Sequence, residues 1–439
     1  MSGVFRRAAD PPVAARAEGV WVEDTAGRRY LDAAGGAIVV GIGHGDPVVA
    51  SAMEEQVGRL AYVHSSAFTT EALEAYAAEL AEVVPVADAR VFPVSGGSEA
   101  VETALKLARS YHLARGEAER QVVLARHLSY HGNTRGALDV SGRPRLRAPY
   151  EPWLGHAVHV PAVTEYRCPA PGHPSGCGAW HAAQLERTIS GIGAHRVAAF
   201  IAEPIGGATT GAAVPPDDYW PAVAEVCRRH GVLLIADEVM TGFGRTGAWF
   251  AMDHWGVAPD VMVAAKGASS GYWPLGLCVA SGEVHDTVQA GGGFVHGLTF
   301  SHHPVGAAVG RAVLHRIREL GLVEAAAARG PHLLAALAGA LDGQTLVGDI
   351  RGRGLLVAVE LVADRATKEP FPPGERVVER VVAAARRRGL LVYSSKGCAD
   401  GVAGDVVILG PPLIITTGEI DLVADRLGSA VAAVAAGAD

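Results

Sequence analysis

Lysine is scarce in this chain. Only four of its 38 basic residues are lysines, Lys106, Lys266, Lys368 and Lys396. An arginine cannot form an imine or release its proton near neutral pH, whereas a lysine amine in an apolar pocket can have its pKa depressed by roughly 3 to 5 units. Cysteine is scarce too. There are five among 439 residues, an odd number widely scattered, which argues against a disulfide framework and for reduced thiols. No apolar run approaches the roughly 20 residues of a membrane span. Charged residues make up 19% against 49% hydrophobic, a balance that excludes a disordered class and implies a soluble globular protein. The net charge of -8 disfavours nucleic acid or an acidic membrane surface as a partner. Residues 1–12 contain two arginines with no apolar stretch behind them, so no secretory signal is expected and a cytoplasmic location is.

What the chain has is length for a large core and a strand-helix rhythm. Trp21 to Asp24 and Arg29 to Asp32 flank a Thr-Ala-Gly-Arg turn and read as a hairpin. Asp46 before Pro47 starts a helix reaching Leu60, and a second helix runs over 70–84, where Pro85 stops it. Short apolar runs then fall at 90–94, 121–125, 197–202, 232–236, 261–265 and 277–280, separated by helical segments. That alternation predicts a mostly parallel sheet covered on both faces. Helices beginning near 311 and 323 mark a boundary. Beyond it a strand at 354–361, a helix at 375–388 and strands at 390–393 and 406–409 make a smaller α+β unit. The expected division is an N-terminal segment 1–57 joining the small domain, a large domain 58–318 and a C-terminal small domain 319–439.

In an open α/β sheet, ligands bind beyond the carboxyl ends of the strands. Lys266 stands at such an end, after the apolar run from Val261; alone, it would more often be a lysine snorkelling to solvent. Ser95-Gly96-Gly97-Ser98-Glu99-Ala100 follows another strand and opens a helix. Glycines there let backbone N–H groups approach an anion that the helix dipole favours, although a plain capped helix reads similarly. Asp237-Glu238 follows a third strand and Glu203 closes a fourth. A carboxylate at that depth needs a cationic partner or several hydrogen bonds, and a pyridinium nitrogen would serve. Tyr130-His131-Gly132 follows a fifth strand and offers an aromatic to lie against a ring. Together these form the set required by pyridoxal 5'-phosphate: a Schiff-base lysine, a carboxylate for the ring nitrogen and a phosphate seat.

With Ser95 to Ala104, Ser129 to Thr134, Ala202-Glu203-Pro204, Asp237-Glu238-Val239, Gly242 to Gly247, Lys266-Gly267 and His296 to Pro304, the chain resembles the class III (omega) aminotransferases, pyridoxal-phosphate-dependent enzymes of fold type I, over almost its whole length. The resemblance implies an α/β fold, a large domain with a mostly parallel central sheet plus a smaller α+β domain. It implies amino transfer between an amine or amino acid and a keto acid or aldehyde through a Lys266 Schiff base. By the same resemblance, Lys266 also moves protons, Asp237 pairs with the ring nitrogen, Tyr130 stacks on one ring face and Val239 packs on the other. Gly97 and Ser98 bind the phosphate, joined by Thr299 from the partner subunit of a homodimer or larger assembly. Glu203 supports the pocket, and His131 stands behind the residues that touch the ring. The partners implied are a small-molecule amino donor and a carbonyl acceptor.

Two departures stand out. Met240 occupies a place where many relatives have a glutamine near the ring hydroxyl. Ala403, in the loop 401–405, stands where the resemblance implies, for many omega aminotransferases, a mobile arginine that binds a substrate carboxylate. Either the donor lacks an α-carboxylate, or another arginine such as Arg143, Arg145 or Arg147 replaces the missing one. A racemase, aminomutase or decarboxylase on the same scaffold is the rival reading, since these enzymes share the Schiff base and differ in the bond broken. A regulator reusing the cofactor site is a third. Cys168, His173, Cys177 and His181 cluster in sequence, but a Pro/Gly loop between the cysteines fits none of the usual zinc-finger spacings. Surface-loop thiols are therefore expected there, and no metal.

Overall fold

The computed structural model describes residues 3–5, 11–169, 172 and 177–437. Among these residues a seven-stranded sheet forms the centre. Its order is Arg90–Val94, Gly276–Ala280, Val261–Ala264, Leu233–Asp237, Val197–Ala202, Val122–Arg126 and Ala157–Val160. Only Gly276–Ala280 runs against the rest, antiparallel to both neighbours. The four inner strands from Gly276–Ala280 to Val197–Ala202 are buried on both sides, and their side chains divide by the two-residue period of a strand. Phe200, Ala202, Leu234, Ala236, Met262 and Ala264 enter one core cluster. Ala199, Ile201, Leu233, Ile235, Val261 and Val263 enter another, beneath helices Gly97–Ala114 and Gly282–Ala290.

Two smaller sheets flank this body. In one, Ala14–Glu18, Trp21–Asp24 and Arg29–Asp32 form an antiparallel ribbon, and Leu390–Leu391 from the far end of the chain adds in parallel beside Leu31 and Asp32. Trp21 Nε1 donates to Glu419 Oε1 at 3.2 Å, tying the ribbon to the last helix, Thr417–Ala435. The other sheet has the order Val347–Arg353, Leu356–Leu361, Asp405–Leu409, Tyr393–Lys396 and is antiparallel throughout. Its Leu356, Ala358, Val406 and Ile408 pack with Ile38, Ile205, Ala208 and Ala251 in a third cluster, which joins this sheet to the central body.

The first long helix starts as expected. Asp46 Oδ1 accepts from the amides of Val48 and Val49 at 2.9 and 3.3 Å, and Pro47 occupies the first turn, where no N–H is needed. The next helix is shorter than expected. It spans Glu71–Ala81, and Val83 and Val84 turn back onto the Leu80 carbonyl, so the helix has ended before Pro85. The helix expected from 311 begins at Pro304. Three strands escaped the sequence: Ala14–Glu18, Ala157–Val160 and Val347–Arg353, each at a sheet edge and each with polar residues among its apolar ones, joined in Val347–Arg353 by two glycines. Cys168 and Cys177 are half-buried rather than surface-loop thiols, because their sulfurs face each other and the buried His181. His173 lies outside the described residues.

Candidate active site

Three neighbouring strands fix the acids and the amine. Ala202 pairs with Ala236 and Asp237 with Val263, so Glu203, Asp237 and Lys266 emerge on one edge of the sheet, on chains about 4.8 Å apart. The Ser95-Gly96 turn comes to the same edge because Val94 pairs with Gly276. Together they line a cavity of about 420 Å³ with Gly97, Ser98, Tyr130, His131, Gly132, Val239, Met240 and Trp273. A larger cavity of about 780 Å³ lies elsewhere, among Phe92, Leu107, Val288, Phe294 and His302. It lacks the amine, the paired acids and the glycine turn, so chemistry rather than size selects the smaller one.

At the anion end, the helix Gly97–Ala114 points its N-terminus into the cavity wall. Glu99 Oε2 accepts from the Ser95 amide at 2.8 Å and closes the turn. Gly97 is a close fit: a Cβ there would stand 3.2 and 3.3 Å from the Val239 methyls. Gly132 has φ +139°, and a Cβ on it would fall 2.5 Å from Ser98 Oγ. Both the space and the backbone conformation therefore call for glycine. The Asn133 amide donates to Ser98 Oγ at 3.1 Å, and Asn133 Nδ2 donates to the Tyr130 hydroxyl at 3.1 Å. The loop carrying Tyr130 is thus pinned to the start of the helix.

At the acid end, Asp237 is buried, with Oδ2 at 2.6 Å from His131 Nδ1 and Oδ1 accepting from the Val239 amide at 3.0 Å. His131 is buried as well, and among the described residues its Nε2 has no hydrogen-bond partner. Glu203 accepts from the Gly207 amide at 3.2 Å and lies 3.8 Å from the Arg126 guanidinium. Burial pushes its carboxyl upward, opposed by the charges of His131 and Arg126. Arg126 also donates to the Glu203 carbonyl and so braces the strand end from below. Sequence reasoning missed Arg126; an arginine closing an apolar strand was the available signal.

Lys266 opens a single helical turn, Lys266–Ala268, after the strand Val261–Ala264. Its φ of 44° lies in the left-handed region that a residue with a Cβ enters at a cost, a strain found most often at functional sites. Among the described residues its amine has no hydrogen-bond partner. Burial lowers its pKa to about 8, against the opposing pull of Asp237 and Glu203 and with a smaller lowering from Arg245. Arg245, from the Gly-Phe-Gly-Arg-Thr-Gly motif, is buried and spends its donors on the carbonyls of Val40, Leu355 and Pro411. Sequence reading quoted that motif without giving the arginine a task.

Other expected residues lie outside the cavity. Thr299 is exposed on a loop, where its carbonyl accepts from the Tyr62 hydroxyl at 2.8 Å, and this chain does not bring it to its own cavity. Ala403 sits in a turn, its amide donating to Asp400 Oδ1 at 2.7 Å. Arg147 caps the carbonyls of Leu138, Asp139 and Ser141, and Arg145 is exposed. Arg143 donates to Ser395 Oγ at 2.8 Å and to the Lys396 carbonyl at 2.9 Å, while its buried Nε has no partner among the described residues. None of these four lines the cavity.

The set fits pyridoxal phosphate: a helix N-terminus with glycine approach for an anion, a buried carboxylate for a ring cation, and an amine with no partner of its own. The chain belongs to the class III aminotransferases, whose family model matches residues 5–431. It is a pyridoxal-phosphate-dependent aminotransferase with the fold type I α/β architecture.

The relatives it matches are named aminotransferases or transaminases. The chain is 38% identical over 426 residues to an uncharacterized aminotransferase of Bacillus subtilis (strain 168), covering 96% of this chain and 95% of that protein. It is 36% identical over 408 residues to a putrescine–pyruvate aminotransferase of Pseudomonas aeruginosa, covering 92% and 87%. Among solved structures it is similar to an (S)-enantioselective omega-transaminase from Thermomicrobium roseum, with a TM-score of 0.91, 40% identity and coverage of 97% and 93%. An amine transaminase from an uncultivated Pseudomonas species, in its PLP-bound form, matches with a TM-score of 0.90, 37% identity and coverage of 98% and 97%.

Proposed function

We propose that Lys266 is the residue that binds the cofactor covalently and moves the proton, and that the preferred donors are amines without an α-carboxylate. The observation that carries the first part is a lysine with no hydrogen-bond partner among the described residues and a pKa of about 8, in the same cavity as the buried Asp237. When bound, pyridoxal phosphate supplies a carbonyl for amine exchange and a ring that takes up the electrons of a broken Cα–H bond. The chain's own groups do the rest. The Gly97 and Ser98 amides would hold the phosphate, and Asp237, oriented by His131 and the Val239 amide, would keep a proton on the ring nitrogen. Tyr130 and Val239 would pack against the ring, with Glu203 steadying the pocket. With the cofactor bound, Lys266 in its neutral form would take the proton from the donor's α-carbon, hold it at Nζ and give it up again within the site.

Donor preference rests on the lining. Lys266 is the one Lys or Arg side chain that lines the cavity among the described residues, while Val39, Met240, Trp273, Pro274 and Leu275 make much of it apolar. A carboxylate carried into such a site without a cation costs several kcal/mol. The similarity to a putrescine–pyruvate aminotransferase and to amine transaminases supports the same preference. The acceptor is a small keto acid or aldehyde, and of the two only the aldehyde escapes the same desolvation cost. The site is completed in a homodimer, in which Thr299 of the partner subunit reaches the phosphate, and the enzyme works in the cytoplasm. In the test, Lys266→Ala is expected to lose both turnover and borohydride-trapped cofactor; cofactor still trapped covalently in the variant would assign the role to another lysine.

A further inference from the structure

Away from the active site, two thiols and an imidazole converge. Cys177 and His181 stand four residues apart on the helix Cys177–Ile192, a spacing that puts both on one face. Cys168 comes from a separate turn, its amide bonded to the Glu165 carbonyl at 3.3 Å. The two sulfurs are 3.9 Å apart, and the ligand atoms of all three residues lie within 4.8 Å of one another. Two thiolates each about 2.3 Å from a tetrahedral zinc ion stand about 3.8 Å apart. That spacing matches the one found here and is nearly twice a disulfide bond of about 2.0 Å. The other cysteines, Cys227, Cys278 and Cys398, are each buried in separate apolar clusters.

We propose that Cys168, Cys177 and His181 form a structural zinc site. Two thiolates and a neutral imidazole are a soft ligand set suited to that ion, and its fourth position is left to a ligand outside these three. Binding replaces the two thiol protons by the divalent cation, so two protons are released and the core of the site carries no net charge. None of the three residues lines the cofactor cavity.

The role is mechanical. Next to Cys168, Arg167 Nε donates to Glu360 Oε1 at 2.5 Å, and Lys368 Nζ donates to the Tyr166 carbonyl at 2.7 Å. This turn therefore grips the antiparallel sheet through Glu360, on the strand Leu356–Leu361. The helix Cys177–Ile192 packs instead beside Tyr219–His230, against the central body. An ion joining Cys168 to Cys177 and His181 would fasten the first contact to the second.

The holoenzyme, produced in zinc-supplemented medium and purified without chelator, should contain about one zinc per chain by elemental mass spectrometry. Cys168→Ser/Cys177→Ser should fall to background zinc, while Cys278→Ala keeps its metal. Loss of zinc should lower the melting temperature but leave the cofactor absorbance and the turnover at low temperature unchanged. Should the double variant fail to fold, cobalt(II) loaded onto wild-type protein gives a second readout: thiolate-to-cobalt charge transfer with tetrahedral d–d bands. Wild-type protein without stoichiometric metal, zinc retained in the double variant, or an intact mass showing a Cys168–Cys177 disulfide would overturn the proposal.

Discussion

The titration of Lys266 can be measured apart from turnover, and the scarcity of lysine makes the measurement clean. Burial brings this amine from 10.5 to about 8, a difference of roughly 3 kcal/mol between its charged and neutral forms. At pH 8 about half of the Lys266 amines are then neutral, against about one in 300 for an unperturbed lysine, an advantage on the order of 150-fold. Competitive labelling of the apoprotein with acetic anhydride, read by peptide mass spectrometry across pH, would give Lys266 a midpoint near 8. Lys106, Lys368 and Lys396 serve as references in the same sample. Asp237 and Glu203 both hold the amine's pKa up, so Glu203→Gln should move the midpoint lower still. Stability supplies a second readout. The folded pKa is below the unfolded one, so holding the charged amine in the fold costs up to roughly 3 kcal/mol below pH 8, a penalty that fades as pH rises toward about 10.4. Apo Lys266→Met should therefore be more stable than wild type at pH 7 and lose that advantage at high pH. A Lys266 midpoint shared with the other three lysines, or one raised by Glu203→Gln, would refute the reasoning.

Asp237→Asn should retain cofactor yet lose at least about a hundredfold in turnover, equal to roughly 2.7 kcal/mol of barrier, because an amide cannot hold the ring nitrogen protonated. Wild-type rates in that variant would transfer the role to another group. Thr299→Ala should weaken retention of the cofactor without altering the fold, and sedimentation should show a dimer; an active monomer would contradict the shared site. Ala403→Arg should lower the Michaelis constant for carboxylate-bearing donors and leave simple amines nearly unchanged. Arg143, the loop arginine with an unpartnered buried Nε, provides the counter-test: if Arg143→Ala selectively weakens carboxylate substrates, the enzyme has an anchor after all and the amine preference fails.

The residue types and their order along the chain were enough to place the fold class and to name residues that the fold brings to one cavity. Apolar runs four to six residues long, each ending in a polar residue, predict strand ends, and a sheet with parallel neighbours gathers those ends on one edge. That is why Glu203, Asp237 and Lys266 could be grouped although tens of residues separate them. Tertiary structure decided what periodicity does not encode. The pairing of Asp237 with His131, the bracing of Glu203 by Arg126 and the position of Arg245 near Lys266 depend on register between strands and loops, and register is a property of the assembled sheet. The edge strand Val347–Arg353 is too polar and glycine-rich to show an alternating pattern, and its partner Leu356–Leu361 supplies the order it lacks. Sequence spacing argued against a metal site at Cys168 and Cys177. Their approach follows from where a turn and a helix meet in space, a distance set by packing that no count of intervening residues contains.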